Sequence, residues 1–391
     1  MSTETALMNT YGERTTTFER GEGAYLWDNR GNRYIDALSG IAVCGLGHAH
    51  PAITAAISEQ AGTLVHTSNL FLTTPPIRLA EKLTALSGMS NVFFSNSGAE
   101  ANEAAIKIAR KYGHSKGITD PQIITMEGSF HGRTMATLTA TGNPKVKTGF
   151  SPLVSGFLHA PFNDVEAVEK IGFSNSNVVA IMVEPVQGEG GIRIPDEGYL
   201  KALRALCDQN DWLLIVDEIQ TGNGRTGTYF AYQAEGILPD VVTTAKGLGN
   251  GMPIGACLSH GKAAEVLQPG NHGSTFGGNP LCTAAALKVI DLIESEQLCQ
   301  RAHSLGVDML RTLKAELGQL DYVKDIRGCG LMMGIELTLS CADAVEIAKN
   351  NGVIVNVTAG NTIRLLPPLI LSDEQANDIV NRVCETVRSL G

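Results

Sequence analysis

Between Val241 and Gly261 the chain carries one permanent charge, Lys246, in the run Asp240-Val-Val-Thr-Thr-Ala-Lys-Gly-Leu-Gly-Asn-Gly; His260 is the other titratable group there. Val241 to Ala245 reads as a short buried strand, so the ammonium emerges at a strand's carboxyl end, where open parallel α/β sheets bind ligands. Burial there disfavours the protonated form and leaves an amine nucleophilic enough for a Schiff base. A second charge is placed the same way. Trp212-Leu-Leu-Ile-Val-Asp217 is an apolar run ending in a carboxylate, 29 residues before Lys246. Pyridoxal phosphate requires such a pair: the amine holds its aldehyde as an imine, and the carboxylate keeps the pyridine nitrogen protonated so that the ring withdraws electrons. Read alone, a lone loop lysine is an ordinary surface residue, and an apolar run ending in Asp serves equally for Mg2+, a ribose or a helix cap.

The elements that must position these groups follow from the pattern. From residue 50 to about 260, helices and strands alternate: helices from Pro51 and Pro75, a strand at 91–95, a helix from Ala99 to Tyr112, strands at 122–125 and 178–183, a helix from Asp196 to Gln209, and the two strands ending at Asp217 and near Lys246. This order predicts an α/β fold, a mostly parallel sheet flanked by helices on both faces. Beyond Pro280 the pattern changes to long helices (281 to about 318), a strand region from Arg327 to Leu337, a helix near 341–350, extended pieces at 353–357 and 362–366, and a terminal helix. Short strands at Tyr25-Leu-Trp-Asp and Arg33-Tyr-Ile-Asp are expected to join that C-terminal part. The expected division is an N-terminal segment, 1–50, joining a small α+β domain; a large cofactor-binding domain, 51–278; and the C-terminal small domain, 279–391.

Composition narrows the class. Over 391 residues, 43% are apolar and 43 are glycine, which suits a well-buried enzyme core with many tight turns. The net charge of -10 argues against nucleic acid or an anionic membrane surface as partner. Eight cysteines without a C-x-x-C pair read as reduced thiols. Met1-Ser-Thr-Glu-Thr-Ala-Leu-Met lacks a basic region followed by an apolar stretch, and no run approaches membrane-spanning length. A soluble, cytoplasmic protein is expected. His48 and His50, two apart and without a Cys or carboxylate cluster nearby, are assigned no metal.

Two segments are candidates for a phosphate. Ser95-Asn-Ser-Gly98-Ala99-Glu lies between a strand and a helix, so free N–H groups and the positive dipole end offer an anion site; Ser and Asn there are also ordinary N-caps. Gly273-Ser274-Thr275-Phe-Gly-Gly-Asn-Pro280 offers hydroxyls and glycines before a helix opened by proline. A third segment, Gly222-Asn-Gly224-Arg-Thr-Gly227, matches the G-x-G-x-x-G fingerprint and raises a different class, a nicotinamide-dependent oxidoreductase. Its context is poor: Asp217 and Glu218 precede it, and Thr228-Tyr-Phe-Ala-Tyr does not open an amphipathic helix. A purely binding relative is expected to have lost Lys246 or Asp217, and both are present.

Taken together the chain resembles the class III (subgroup II) aminotransferases of fold type I, closest to their acetylornithine-type members. The resemblance runs through Gly21-Glu-Gly-Ala-Tyr-Leu-Trp-Asp, Gly47-His-Ala-His-Pro, Asn96-Ser-Gly-Ala-Glu-Ala-Asn-Glu, Phe130-His-Gly-Arg-Thr, Glu184-Pro-Val-Gln-Gly-Glu-Gly-Gly, Asp217-Glu-Ile-Gln-Thr-Gly, Ala245-Lys-Gly-Leu, Gly273-Ser-Thr-Phe-Gly-Gly-Asn-Pro and Arg364-Leu-Leu-Pro-Pro. It implies that Lys246 carries pyridoxal 5'-phosphate as a Schiff base, Asp217 pairs with the pyridinium nitrogen, and Gln220 reaches the ring hydroxyl. Phe130 stacks on one ring face and Ile219 packs on the other. Gly98 and Ala99 donate N–H groups to the phosphate, as does Thr275 from a neighbouring subunit, which makes the homodimer obligatory.

The resemblance also implies the substrates. Arg133 and Arg364 match the family's two carboxylate clamps, suited to bidentate carboxylate binding. Glutamate, with two carboxylates, uses both. N-acetylornithine reacts through a terminal amine whose carbon bears no carboxylate, so it uses Arg133 alone, and Glu189 swings in to pair with Arg364. Ornithine-specific relatives carry a tyrosine where this chain has Ile41, a position lining the substrate entrance. An aliphatic residue there cannot hydrogen-bond a free α-ammonium, which favours an acylated donor. Tyr11 matches a tyrosine near the substrate carboxylate, and Ser274 touches the acyl substrate. The expected reaction is ping-pong transfer from N-acetylornithine to 2-oxoglutarate, giving glutamate, a step of arginine biosynthesis. Succinylornithine, N-succinyl-diaminopimelate, 4-aminobutyrate and free ornithine remain alternative donors.

Overall fold

In the computed structural model, which describes residues 6–12 and 14–391, a seven-stranded sheet runs in the order Asn91–Ser95, Gly255–Ser259, Val241–Thr244, Leu213–Asp217, Val178–Val183, Gln122–Met126, Phe157–Ala160. The five strands from Val241–Thr244 to Phe157–Ala160 are mutually parallel, and Gly255–Ser259 is antiparallel to both of its neighbours. These strands are apolar on both faces, and the two-residue period of the pleat deals them to two cores. Ala180, Met182, Leu213 and Ile215 pack with Ala104, Ala105, Ile108 and Ala109 of helix Gly98–Ser115. Their neighbours Ile181, Val183, Leu214 and Val216 pack with Leu200, Leu203 and Cys207 of helix Tyr199–Asn210 on the other face. The alanine-rich stripe lets helix Gly98–Ser115 approach the sheet closely, and Ser97 caps it by accepting the Glu100 N–H at 3.2 Å.

Two four-stranded sheets flank this body. In one, Phe18–Glu22, Tyr25–Asp28 and Arg33–Asp36 form a meander, and Val353–Ile354 adds in parallel to Arg33–Asp36. The other is antiparallel, ordered Val323–Cys329, Met332–Leu337, Thr362–Leu365, Asn356–Thr358. The C-terminal helix Asp373–Arg388 packs against helix Leu298–Leu317, and helix Pro280–Ser295 packs on Pro51–Thr63 and Thr74–Ser87.

Several elements depart from the pattern-based expectation. Strands Gly255–Ser259 and Phe157–Ala160 and helix Val165–Ser174 are additional to it. The helix expected from Asp196 begins at Tyr199, because Gly198 at φ 84° sets the turn before it. The long helical stretch after Pro280 breaks at Gln297, whose φ is 53°. No helix among the described residues is long and apolar enough to cross a membrane.

Candidate active site

A cavity of about 410 Å3 opens where the strands Leu213–Asp217 and Val241–Thr244 end. Asp217 lies opposite Thr243 in parallel register, so Lys246, three residues further along, reaches the same wall. At Lys246 the backbone turns sharply, with φ 44°, into the short turn Lys246–Leu248. The residue keeps some exposure through the cavity, but its amine sits deep. Burial and the nearby Arg364 guanidinium lower its pKa to about 8, against the pull of Glu189, Asp217 and Glu184.

Asp217 is fixed by three groups. Its Oδ2 accepts from Asn102 Nδ2 at 2.8 Å and pairs with His131 Nδ1 at 2.8 Å; its Oδ1 accepts the Ile219 N–H at 3.1 Å. Asn102 also donates to the His131 carbonyl at 2.8 Å, and its oxygen accepts from Thr243 Oγ1 at 2.7 Å. One fully buried amide thus locks helix, strand and carboxylate together. His131 Nε2 is buried without a partner among the described residues.

At the other end of the cavity lies the start of helix Gly98–Ser115. Ser97 takes the N–H groups of Glu100 and Ala101. The earlier N–H groups, of Gly98 and Ala99, have no carbonyl within the helix to bond, which leaves them for an anion. A Cβ on Gly98 would stand 2.7 Å from Ile219 Cδ1, so only glycine lets Ile219 lie across the cavity there.

The loop after strand Val178–Val183 supplies the third wall. Glu184 Oε2 accepts the Phe130 N–H at 3.0 Å, and Oε1 accepts the Gly188 N–H at 3.4 Å. Burial raises the Glu184 carboxyl to about 7, partly offset by His131. Gly188 makes room for Gln220, whose Oε1 would come within 2.1 Å of a Cβ there. Glu189 Oε1 pairs with Arg364 NH1 at 2.6 Å; the arginine side chain is 0% exposed and the glutamate 38%. Arg364 also reaches Asn356 Oδ1 at 3.1 Å and Gln220 Oε1 at 3.4 Å, and its NH2 is buried with no partner among the described residues. The loop backbone is anchored, since Arg327 Nε donates to Ile192 O at 2.7 Å. Arg133 is exposed at the rim with its guanidinium 5.5 Å from the centre of the Phe130 ring.

Nine of the residues singled out in the sequence line this cavity: Gly98, Ala99, Phe130, Arg133, Glu189, Asp217, Ile219, Gln220 and Lys246. Arg364 adjoins it through Glu189 and Gln220. Ser274 lies one step out, its Oγ accepting from Asn96 Nδ2 at 3.1 Å, and Asn96 lines the wall. Thr275 is exposed and outside the lining of this protomer's cavity. Tyr11 is 82% exposed and also outside it. Ile41 rests half-buried on an apolar cluster with Ala42, Val186 and Leu366, and Val43, two residues on, forms the wall. Asn102, Glu184 and His131 join the site without a role assigned from sequence. Glu184 carries the same signal as Asp217, a carboxylate at the end of an apolar run; Asn102, inside a helix, carries no such signal of its own and is marked only by its place in the Asn96 to Glu103 motif.

The glycine fingerprint has another use. Gly222 to Gly227 opens no α-helix, and Arg225, 3% exposed, donates from NH1 to the carbonyls of Leu331, at 3.0 Å, and of Pro367. The segment ties the central sheet to the C-terminal strands. The cavity fits pyridoxal phosphate: an apolar slot between Phe130 and Ile219, a buried amine, a carboxylate held by three donors, and, at the far end, helix N–H groups with no carbonyl of the helix to bond.

The family described as Aminotransferase class-III matches residues 8–387. An acetylornithine aminotransferase of Nitrosomonas europaea is 54% identical over 377 residues, covering 96% of each chain. The crystal structure of an N-acetylornithine aminotransferase from Stenotrophomonas maltophilia superposes with TM-score 0.85 at 38% identity, over 98% of both chains. The ornithine aminotransferase of Toxoplasma gondii, crystallised with oxidised glutathione and partly occupied by PLP at its active site, superposes with TM-score 0.93 at 35% identity, over 97% of this chain and 92% of that one.

Proposed function

Because this chain belongs to the class III aminotransferases, which are fold type I enzymes dependent on pyridoxal 5'-phosphate, we propose that it transfers the terminal amino group of N-acetylornithine to 2-oxoglutarate. The products are N-acetylglutamate 5-semialdehyde and glutamate. When bound, pyridoxal phosphate supplies an aldehyde for amine exchange and a protonated ring that withdraws electrons. Lys246 anchors it; Asp217, oriented by Asn102, His131 and the Ile219 N–H, holds the proton on the ring nitrogen. Phe130 and Ile219 would bracket the ring, Gln220 would meet its hydroxyl, and the N–H groups of Gly98 and Ala99 would bind the phosphate. As a free amine, Lys246 Nζ would be the base that takes the proton from the donor's terminal carbon. Its lowered pKa keeps much of it neutral near pH 8.

The observation that carries the substrate reading is the pairing of Arg364 with Glu189. A fully buried guanidinium whose carboxylate partner, Glu189, is part-exposed can exchange that partner for a substrate carboxylate. Glutamate and 2-oxoglutarate bring a carboxylate to Arg364 and displace Glu189. N-acetylornithine brings none to the reacting carbon, so Glu189 stays, and Arg133 at the rim binds the distal carboxylate. The acylated nitrogen meets an aliphatic wall rather than a hydrogen-bond acceptor. Ser274 and Tyr11 are assigned to the acyl substrate's approach.

The active unit is proposed to be a cytoplasmic homodimer in which Thr275 of the partner subunit completes the phosphate site. Leu70, Phe71, Leu72 and Phe276 are 61–89% exposed, and Asn69 Nδ2 holds the two segments together by donating to Ser274 O at 2.9 Å. Such a patch beside the cavity fits a second copy of the chain.

The test compares kcat/KM for N-acetylornithine, succinylornithine, ornithine and 4-aminobutyrate with 2-oxoglutarate as acceptor. A tenfold preference for free ornithine, about 1.4 kcal/mol in transition-state binding, would overturn the donor assignment. Lys246→Ala is expected to abolish turnover, and full activity in that variant would remove the mechanism.

A further inference from the structure

Residues Ser39, Gly40, Ile41 and Ala42 have φ values of 46°, 65°, 64° and 61°. They form one turn of left-handed helix, and three of the four are not glycine. L-residues avoid this region, and a β-branched residue such as Ile41 avoids it most. The turn therefore persists only because its surroundings dictate it.

The restraints are specific. Asp36, 1% exposed, accepts the Leu38 and Ser39 N–H groups on Oδ1, at 2.9 and 2.8 Å, and pairs with His48 Nε2 on Oδ2 at 2.7 Å. The Asp36 carboxylate, with help from Cys44, raises His48 to about 9. Ser39, fully buried, donates from Oγ to the Leu366 carbonyl at 2.6 Å, and the Leu366 N–H returns to Ala37 O at 2.7 Å. Leu366 directly follows the strand that bears Arg364. On the other side, the Ala42 carbonyl lies 3.6 Å from where a Cβ on Gly247 would stand, beside Lys246. The turn is held between the strand of one carboxylate clamp and the loop of the lysine, and it delivers Val43 to the cavity wall.

We propose that Ser39 and Asp36 are positioning residues for donor selection, which hold the left-handed turn so that Ile41 and Val43 keep a fixed register with Arg364 and Lys246. Discrimination between an acylated and a free α-amine then depends on the restraint of the backbone as well as on the aliphatic side chain at 41. The inference rests on the donor assignment made above.

The experiment uses the cofactor-loaded enzyme and its Ser39→Ala variant, with Asp36→Asn as the second variant should the first not fold. Asparagine keeps an oxygen for the two N–H groups but loses the charge that pairs with His48. Hydrogen exchange of the amides of residues 41–44 reports the restraint directly, and is expected to quicken about tenfold or more in the variant. The ratio of kcat/KM for N-acetylornithine to that for ornithine is expected to fall about fivefold or more. Faster exchange with a ratio within about twofold of the wild type makes the turn merely structural and overturns the proposal. Unchanged exchange overturns it as well, because the tether then restrains nothing. A wild-type enzyme that itself prefers ornithine would sink the donor assignment instead, and the unmodified protein alone reveals that outcome.

Discussion

Replacing Glu189 with glutamine isolates the exchange of partners at Arg364. The substitution keeps the side chain's shape and one oxygen acceptor 2.6 Å from NH1, and removes only the charge. Two unit charges about 4 Å apart interact by about 4 kcal/mol at an effective dielectric near 20. Glu189 is 38% exposed, so solvent screens part of that, and about 1–2 kcal/mol is the reasonable net figure. The loss falls unequally on the two half-reactions. With N-acetylornithine, Arg364 must remain paired with residue 189, and the rate constant of that half-reaction should fall about 5–30-fold. With glutamate or 2-oxoglutarate the incoming carboxylate no longer has to displace a charged rival, so that half-reaction should hold steady or gain affinity by a few-fold. Stopped-flow absorbance of the cofactor, one substrate at a time, measures each half separately. Equal slowing of both halves, or no change in either, would refute the exchange.

Asn102→Ala removes one donor from Asp217 and leaves the Thr243 hydroxyl without its acceptor, a loss of about 1–3 kcal/mol; kcat should drop about 10–100-fold with either donor, and an unchanged kcat would remove Asn102 from the site's support. Gly98→Ala puts a Cβ 2.7 Å from Ile219 Cδ1, so Ile219 must shift into the ring slot; cofactor titration followed by absorbance should show affinity weakened about tenfold. The cofactor-free protein should show an uneven pH dependence of stability. Burial raises Glu184 and Glu218 from 4.5 to about 7, so their stabilising share is full below pH 4.5 and lost as pH rises to 7. Lys246 is lowered from 10.5 to about 8, so stability recovers between pH 8 and 10.5, by about 3 kcal/mol for this one group. Urea titrations across that range should find the recovery missing in Lys246→Met, and its persistence there would deny that the lysine is the source.

Lys246, Asp217 and Glu184 share one signature, a charge placed where burial makes a charge costly, and that conflict is visible in a string of letters. It is visible because strand ends in a parallel sheet are both buried and open to a ligand, so an apolar run that stops at a charged residue marks the place. The apolar run Val178–Val183 stops at Glu184 in the same way, so the rule that finds Asp217 extends to it. Asn102 has no such mark: a polar residue within a helix reads as solvent-facing, and only the close packing of an alanine-rich face turns it toward a carboxylate 115 positions away. Strand Gly255–Ser259 is hidden for a related reason. Its glycine-rich approach resembles a loop, and its pairing depends on two neighbours, one of them far back at Asn91–Ser95. The left-handed turn is the extreme case, since of Ser39, Gly40, Ile41 and Ala42 only the glycine favours a positive φ. One restraint is local, the Asp36 carboxylate that accepts the Leu38 and Ser39 N–H groups, but a carboxylate so placed is no mark of a left-handed turn; the other, a hydroxyl bonded to Leu366, lies 327 positions away. The groups that do chemistry can therefore be read from local conflict, whereas several of the groups that aim them, Asn102 and Ser39 among them, act through contacts distant in sequence. If the turn selects the donor as proposed, the choice among closely related donors draws on the second kind as well as on Ile41, Arg133, Arg364 and Glu189, and is to that extent less legible in the chain than the reaction.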